Sequence, residues 1–279
     1  MESRLRSIRR TLKACTALFK VRVAERLQYR VSAMVNSSVT IFYGFLQIAI
    51  FTVFFTFGDA SGAAITLEQT ISYIWLAQIL YGVLNNIGID ADLREKIIDG
   101  NVALELCRPL DLYSHWFAQV AAERLGGGFW RMAVTLLISL IAPTAFRLSP
   151  PDSASGFVLF LISVCGAFLL CAAFSMLLTA IRLGLTWGDG PIYMIVLTCL
   201  ILNGGFFPLQ LWPDFLQGLL LYQPFAGILD IPLRLYIGSM PPTDALWAIG
   251  LQLVWTVIFI VSGKILMGRK LSHLIVQGS

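Results

Sequence analysis

Residues 153–181 read SASGFVLFLISVCGAFLLCAAFSMLLTAI, a stretch without one Asp, Glu, Lys or Arg. A bilayer core about 30 Å thick takes roughly 20 apolar residues per helical crossing. The stretch is therefore long enough to span a membrane as a helix. Working outward, residues 31–58, 69–89, 190–213 and 245–263 are equally free of charge, and 132–146 is a shorter run of the same kind. The pattern predicts an all-α membrane protein with six transmembrane helices, at 33–57, 69–89, 126–146, 156–181, 191–210 and 246–266.

Composition agrees. The chain is 57% hydrophobic and 13% charged, against roughly 25% charged residues in soluble domains. Six spans and their connections occupy nearly all of the 279 residues, so 1–279 reads as a single transmembrane domain without a separate catalytic unit. The net charge of +4 is not a nucleic-acid signal, because the basic residues sort by side of the membrane.

Residues 1–30 lack the uninterrupted apolar core of a signal peptide and instead hold nine Lys or Arg. Leu5, Ile8, Leu12, Cys15 and Phe19 recur at intervals of three and four, which forms one helical stripe. A basic amphipathic helix lies along a membrane surface, so 1–30 is expected to be an interfacial elbow on the inner side. Basic residues flanking spans prefer the cytoplasm. With both termini inside, only Arg147 and Arg234 of the 20 Lys and Arg fall outside.

Two connections stand out. The inner segment 90–111, DADLREKIIDGNVALELCRPLD, mixes both signs and reads as two short helices around a Gly100-Asn101 turn, stopped near Arg108-Pro109. Residues 112–125 continue helically, and Gly126-Gly127-Gly128 then permits a bend into the third span. The outer segment 208–245 is apolar, yet Pro208, Pro213, Pro224 and Pro232 forbid one straight helix. Broken backbone at membrane depth must be buried in protein or line a cavity, which predicts short re-entrant helices before the last span.

Catalytic constellations are absent. His115 and His273 both fall in membrane-proximal inner segments without a spaced acidic partner, and there is no H-E-x-x-H motif. Ser262-Gly263-Lys264-Ile265 lacks the remaining features of a phosphate-binding loop, so any ATP-driven step belongs to another chain. The five scattered cysteines form no C-x-x-C pair, which supports neither a zinc site nor a disulfide framework. None of the six predicted spans has an ionisable residue at its midplane, where ion-coupled carriers place one.

What the spans carry is neutral polarity in rows. Thr40, Tyr43, Gly44 and Gln47 share a face of the first span, and Gln78, Tyr81 and Asn85 share a face of the second. Such residues either hold helices together through hydrogen bonds or line a substrate path between two protomers. Asn203-Gly204-Gly205, where the fifth span meets the broken segment, reads as a packing kink or a gate.

These features together resemble the membrane subunits of type-2 ATP-binding-cassette (ABC) exporters, in particular the small bacterial permeases encoded beside a separate ATPase. The resemblance rests on Asp99-Gly100 through Leu106-Cys107-Arg108-Pro109-Leu110, and on Gly205-Phe206-Phe207-Pro208-Leu209 with Trp212-Pro213 and Pro224-Phe225. It implies a coupling helix within 90–111 that docks on the ATPase, with Asp92, Arg94, Glu95, Lys96, Asp99 and Glu105 as contact candidates. It implies an outer segment that closes the pathway, with Phe206, Phe207, Pro208 and Trp212 as its gate, while the neutral polar rows themselves make Thr40, Tyr43, Gln47, Gln78, Tyr81, Asn85 and Asn203 the candidates to line a path.

The expected partners are cytoplasmic ABC ATPase subunits, a second permease of the same or a paralogous chain, and membrane lipid, with no nucleic acid. No cofactor is expected in this chain, because ATP and Mg would sit in the ATPase. The expected location is the bacterial inner membrane, and the expected cargo is hydrophobic or amphipathic. The rival reading is a six-span secondary carrier or a membrane assembly factor.

Overall fold

The computed structural model describes residues 16–17, 19–25, 30–58, 63–84, 87–106, 111–185 and 188–274. Among them every regular element is helical. Ten helices follow Arg22's short helical stretch: α1 (Arg30–Phe57), α2 (Leu67–Leu84), α3 (Ala91–Ile98), α4 (Val102–Leu106) and α5 (Leu112–Ile141), then α6 (Ala154–Arg182), α7 (Gly190–Leu202), α8 (Asp214–Tyr222), α9 (Asp230–Tyr236) and α10 (Pro242–Leu274).

Local chemistry sets where these helices begin. Thr66 and Gln69 exchange a reciprocal pair of bonds at the start of α2, Gln69 Oε1 accepting from the Thr66 amide at 2.9 Å and Thr66 Oγ1 from the Gln69 amide at 3.2 Å. Asp90 caps α3 by accepting from the Leu93 amide at 3.1 Å, and Asp111 caps α5 by accepting from Ser114 at 2.9 Å. Ser153 caps α6 through the Gly156 amide at 3.0 Å. Each cap satisfies a backbone donor that the first helical turn leaves without a partner.

Four helices are long and apolar enough to cross a membrane: Val35–Phe57, Leu112–Ile141, Ala154–Arg182 and Pro242–Ser272. The other two expected spans do not reach that standard. In place of 69–89, α2 has 18 residues and carries Glu68, Gln69 and Gln78. In place of 191–210, α7 has 13 residues and stops at Asn203. The polarity of α2 has a physical reason, since every residue from Thr70 to Leu80 is buried inside protein.

α6 packs most extensively with α10, and α2 with α5, while α1 lies on both α2 and α5. Glycine permits the first pairing: a Cβ on Gly166 of α6 would lie 2.9 Å from Gln252 Oε1 of α10, and one on Gly263 of α10 would lie 3.6 Å from Leu177 Cα of α6. At its centre Gln252 of α10 donates to Ser163 Oγ at 3.0 Å and to the Gly227 carbonyl at 2.7 Å.

The third span differs from expectation. α5 is one helix from Leu112 to Ile141, so neither a separate 112–125 helix nor a span reaching 146 exists. Gly126-Gly127-Gly128 does not interrupt it. Gly128 instead meets Gly82 of α2 so closely that a Cβ on it would lie 2.7 Å from the Gly82 backbone. Gly128 serves close helix contact. Continuity also brings Arg124 into the bundle, 3% exposed, with Nη1 donating to Cys171 Sγ at 3.1 Å and Nη2 to Ser175 Oγ. The expected spans contained no such buried cation.

The proline-rich segment 208–241 is built from short pieces, α8 and α9 joined by turns, and not from one straight helix. α9 packs against α6. Asp230, fully buried, accepts from the Tyr73 hydroxyl at 2.8 Å and pairs with Arg234 Nε at 2.5 Å.

Candidate functional site

Two places gather the polar residues singled out by sequence. The first is a cavity of about 270 Å³ between α1, α2, the end of α7 and the segment after it. Thr40 and Tyr43 enter it from α1, Gln78 and Tyr81 from α2, and Phe206 from the broken segment. Val39, Ala77, Leu200, Gly205 and Leu229 complete the wall, and no charged side chain lines it among the described residues.

Helical spacing makes this convergence. Thr40 and Tyr43 stand three apart on α1, as do Gln78 and Tyr81 on α2, so each pair projects from one face. Gln47 lies beside the cavity rather than in its wall. Its Oε1 accepts from Gln78 Nε2 at 2.9 Å, and its own Nε2 donates to the carbonyls of Phe206 at 3.2 Å and Gly205 at 3.4 Å. The glutamines thus bind two helices to the backbone that forms the third wall.

Asn203 is fully buried, and its Oδ1 accepts from the Gly205 amide at 2.8 Å, which shapes the turn delivering Phe206. Gly204 sits there at φ +86°, with the Tyr73 hydroxyl 2.4 Å from where a Cβ would be. Asn85 lies outside the described residues.

The gate residues separate. Phe206 faces the cavity, and Phe207 packs on Phe51 with ring centroids 5.4 Å apart. Pro208 is buried at the head of a 3-10 turn, Leu209–Leu211. Trp212 packs into the small core of Leu209, Leu220 and Ala226, and its carbonyl accepts from Gln217 at 2.9 Å. Pro208 and Trp212 therefore build the segment after α7 instead of lining the cavity.

The second place is the charged end of the bundle. Gly100, at φ +72°, makes the turn between α3 and α4. Leu93 and Val102 anchor the pair in a core with Trp116, Met176 and Met267. Glu95, Ile98, Asp99 and Leu104 are exposed on the outer surface of the pair. Several of the predicted contact residues are engaged inside the chain. Asp92 pairs with Arg22 at 3.0 Å, Lys96 with Glu105 at 3.1 Å, and Arg94 with Asp189 at 2.5 Å. Glu105, 8% exposed, also faces His115 Nε2 at 3.6 Å. Cys107 to Leu110 lie outside the described residues, as does most of 1–30.

Asp189 and Arg182 were not singled out by sequence. Asp189 stands in a Gly-Asp-Gly-Pro stretch that signals a turn, and only folding shows its carboxylate between Arg94 and Arg182, each 2.5 Å away. Burial works against its charge, but the two guanidiniums outweigh burial and hold its pKa below the usual carboxylate value.

A family model described as ABC-2 family transporter protein matches residues 40–278. The chain therefore belongs to the ABC-2 family of transporter proteins and is a multi-pass membrane component of an ABC transporter. Membership implies association with an ABC ATPase. No curated protein matches the chain.

Proposed function

We propose that this chain is the permease subunit of a bacterial inner-membrane ABC exporter for hydrophobic or amphipathic cargo. It crosses the membrane six times with both termini in the cytoplasm, α2 and α7 supplying the two short crossings. α2 tolerates its polar residues because neighbouring helices enclose it, and α7 is continued by the folded segment at 203–241. The α3–α4 pair is the coupling element, received by a cytoplasmic ATPase that holds ATP and Mg.

The observation that carries this reading is the construction of α3–α4. Its base is fixed in a core by Leu93 and Val102, while Glu95, Ile98, Asp99 and Leu104 stand exposed at its tip. Exposed charge around an apolar centre sets orientation and partner choice at a docking surface. Arg94, Lys96, Asp92 and Glu105 support the tip from inside the chain.

The uncharged cavity is one half of the cargo path. Val35, Val39, Phe42, Leu46, Ile50, Val53 and Phe57 form an exposed apolar stripe along α1, and Val39 also lines the cavity. A second permease covering this stripe would close the path. ATP binding must favour one permease state over the other, since a ligand shifts an equilibrium only by its differential affinity.

The test is association. Tagged chain is solubilised from native membranes in mild detergent, and retained ATPase is identified by mass spectrometry. Joint Glu95→Lys and Asp99→Lys substitution, or Leu104→Asp, is expected to cut retained ATPase about tenfold, a loss of about 1.4 kcal/mol. Equal retention by these variants contradicts the docking surface, and an eluate without ATPase contradicts the ABC reading.

A further inference from the structure

Asp189 immediately precedes α7, at a position where an Asp side chain ordinarily caps the helix. It makes no such bond. The main-chain carbonyl of Asp189 serves instead, accepting from the amides of Ile192 and Tyr193 at 3.0 Å each. Pro191 has no amide to satisfy. The carboxylate, its side chain 7% exposed, is thereby free to bind Arg94 of α3 through Oδ2 and Arg182 of α6 through Oδ1. One residue joins the first turn of α7, by its main chain, to two other helices, by its side chain.

α7 is otherwise thinly held. Only Ile192 and Cys199 are buried along it, and Tyr193, Met194, Leu197 and Ile201 are exposed. Its far end leads through Leu200 and Asn203 into Gly205 and Phe206, the cavity wall. α7 packs inside the chain along one side only, where Ile195, Val196 and Leu200 join Ile192 and Cys199 against the core, so a shift at its first turn can be carried along it to its far end.

We propose that Asp189 is a positioning residue that links the coupling helix α3 to α7, so that displacement of α3 by the ATPase reaches the cavity wall through the Arg94–Asp189 pair. This rests on the permease reading above. Arg182 keeps the joint attached to α6, and Arg94 carries the displacement. Arg94 therefore acts within the permease rather than as an ATPase contact, although its side chain is 47% exposed.

The test is hydrogen exchange by mass spectrometry over residues 190–202 of the complex purified from native membranes, with and without ATP plus vanadate. The wild type is expected to show a severalfold change in α7 exchange on addition of nucleotide. Arg94→Gln, which leaves the Asp189–Arg182 pair in place, and Asp189→Asn are expected to abolish that change, while Asp189→Glu retains it. ATPase retention is measured alongside, and Arg94→Gln should keep its ATPase.

If Arg94→Gln and Asp189→Asn respond like the wild type, the link is wrong while the permease reading stands. Loss of the ATPase from Arg94→Gln makes Arg94 a docking residue and overturns the link as well. A wild type whose α7 ignores nucleotide overturns the permease reading together with the link. Should Asp189→Asn fail to fold, Arg94→Gln decides.

Discussion

Gln47 and Gln78 bind each other at 2.9 Å, and Gln47 then reaches the carbonyls of Gly205 and Phe206, more than 150 residues away along the chain. Two helices, α1 and α2, and the broken segment are thus fastened at one amide. Removing it leaves carbonyls and an amide buried without partners, which costs about 1–3 kcal/mol. Gln47→Ala should lower the melting temperature of the detergent-purified protein, and Gln78→Ala should add little to it. Fully additive losses would show that the two glutamines act separately.

The contact of Gly82 with Gly128 makes a sharp contrast among the three adjacent glycines of α5. A Cβ on Gly128 would fall 2.6 Å from Val83 Cγ2, whereas one on Gly127 meets nothing nearer than Glu123 Oε1 at 3.9 Å. Gly128→Val should destabilise by about 1–3 kcal/mol or more through overpacking, broadening the size-exclusion peak. Gly127→Ala should be neutral or slightly stabilising, since alanine suits a helix better than glycine. Equal damage at both positions would restore the bend reading.

Tyr73 places its hydroxyl 2.8 Å from Asp230 and 3.2 Å from the Gly204 carbonyl, joining α2 to the segment between α7 and α10. Tyr73→Phe removes that donor from a fully buried carboxylate, at a cost of about 1–3 kcal/mol. The expected result is a lower melting temperature with unchanged helical content by circular dichroism.

The Asp189 carboxylate is depressed by Arg94 and Arg182 against the opposing effect of its burial. A depressed pKa means that its contribution to stability is complete above the ordinary carboxylate value, about 3.9, and is lost as pH falls through the lower folded value. The melting-temperature gap between wild type and Asp189→Asn should therefore stay constant from neutral pH to about pH 4 and close only below it. A gap that closes at higher pH would mean the ion pairs do not hold the carboxylate charged.

Several features could be read without coordinates. The all-helical membrane character follows from charge-free runs such as 153–181, and the turn at Gly100 from its residue type. Thr40, Tyr43, Gln78 and Tyr81 share one cavity because helical periodicity alone places each pair on one face. The errors have a common physical origin. The charge-free run 69–89 takes in Gln78 and stops short of Glu68, whereas α2 begins at Leu67, and burial from Thr70 to Leu80 is what makes its polarity tolerable.

The same scan began the third span after Arg124 and so missed that α5 carries a buried guanidinium. Glycine triplets are ambiguous between flexibility and close approach, and only the neighbour Gly82 settles which applies. Asp189 could not be found from sequence because its partners lie 95 residues before it and on another helix. Trp212 shares a motif with Phe206, yet one short turn places it against a separate core.

The central claim is that nucleotide bound by a partner ATPase changes access to the uncharged cavity between α1, α2 and α7. The most direct measurement places an accessible reporter thiol at Tyr81→Cys, with Cys15, Cys107 and Cys165 replaced by serine and only the fully buried Cys171 and Cys199 remaining, and follows its rate of maleimide labelling in native membranes. Adding ATP plus vanadate should change that rate severalfold, while a control on the exposed face of α10, Val257→Cys, stays constant. A Tyr81→Cys labelling rate indifferent to nucleotide would contradict the account.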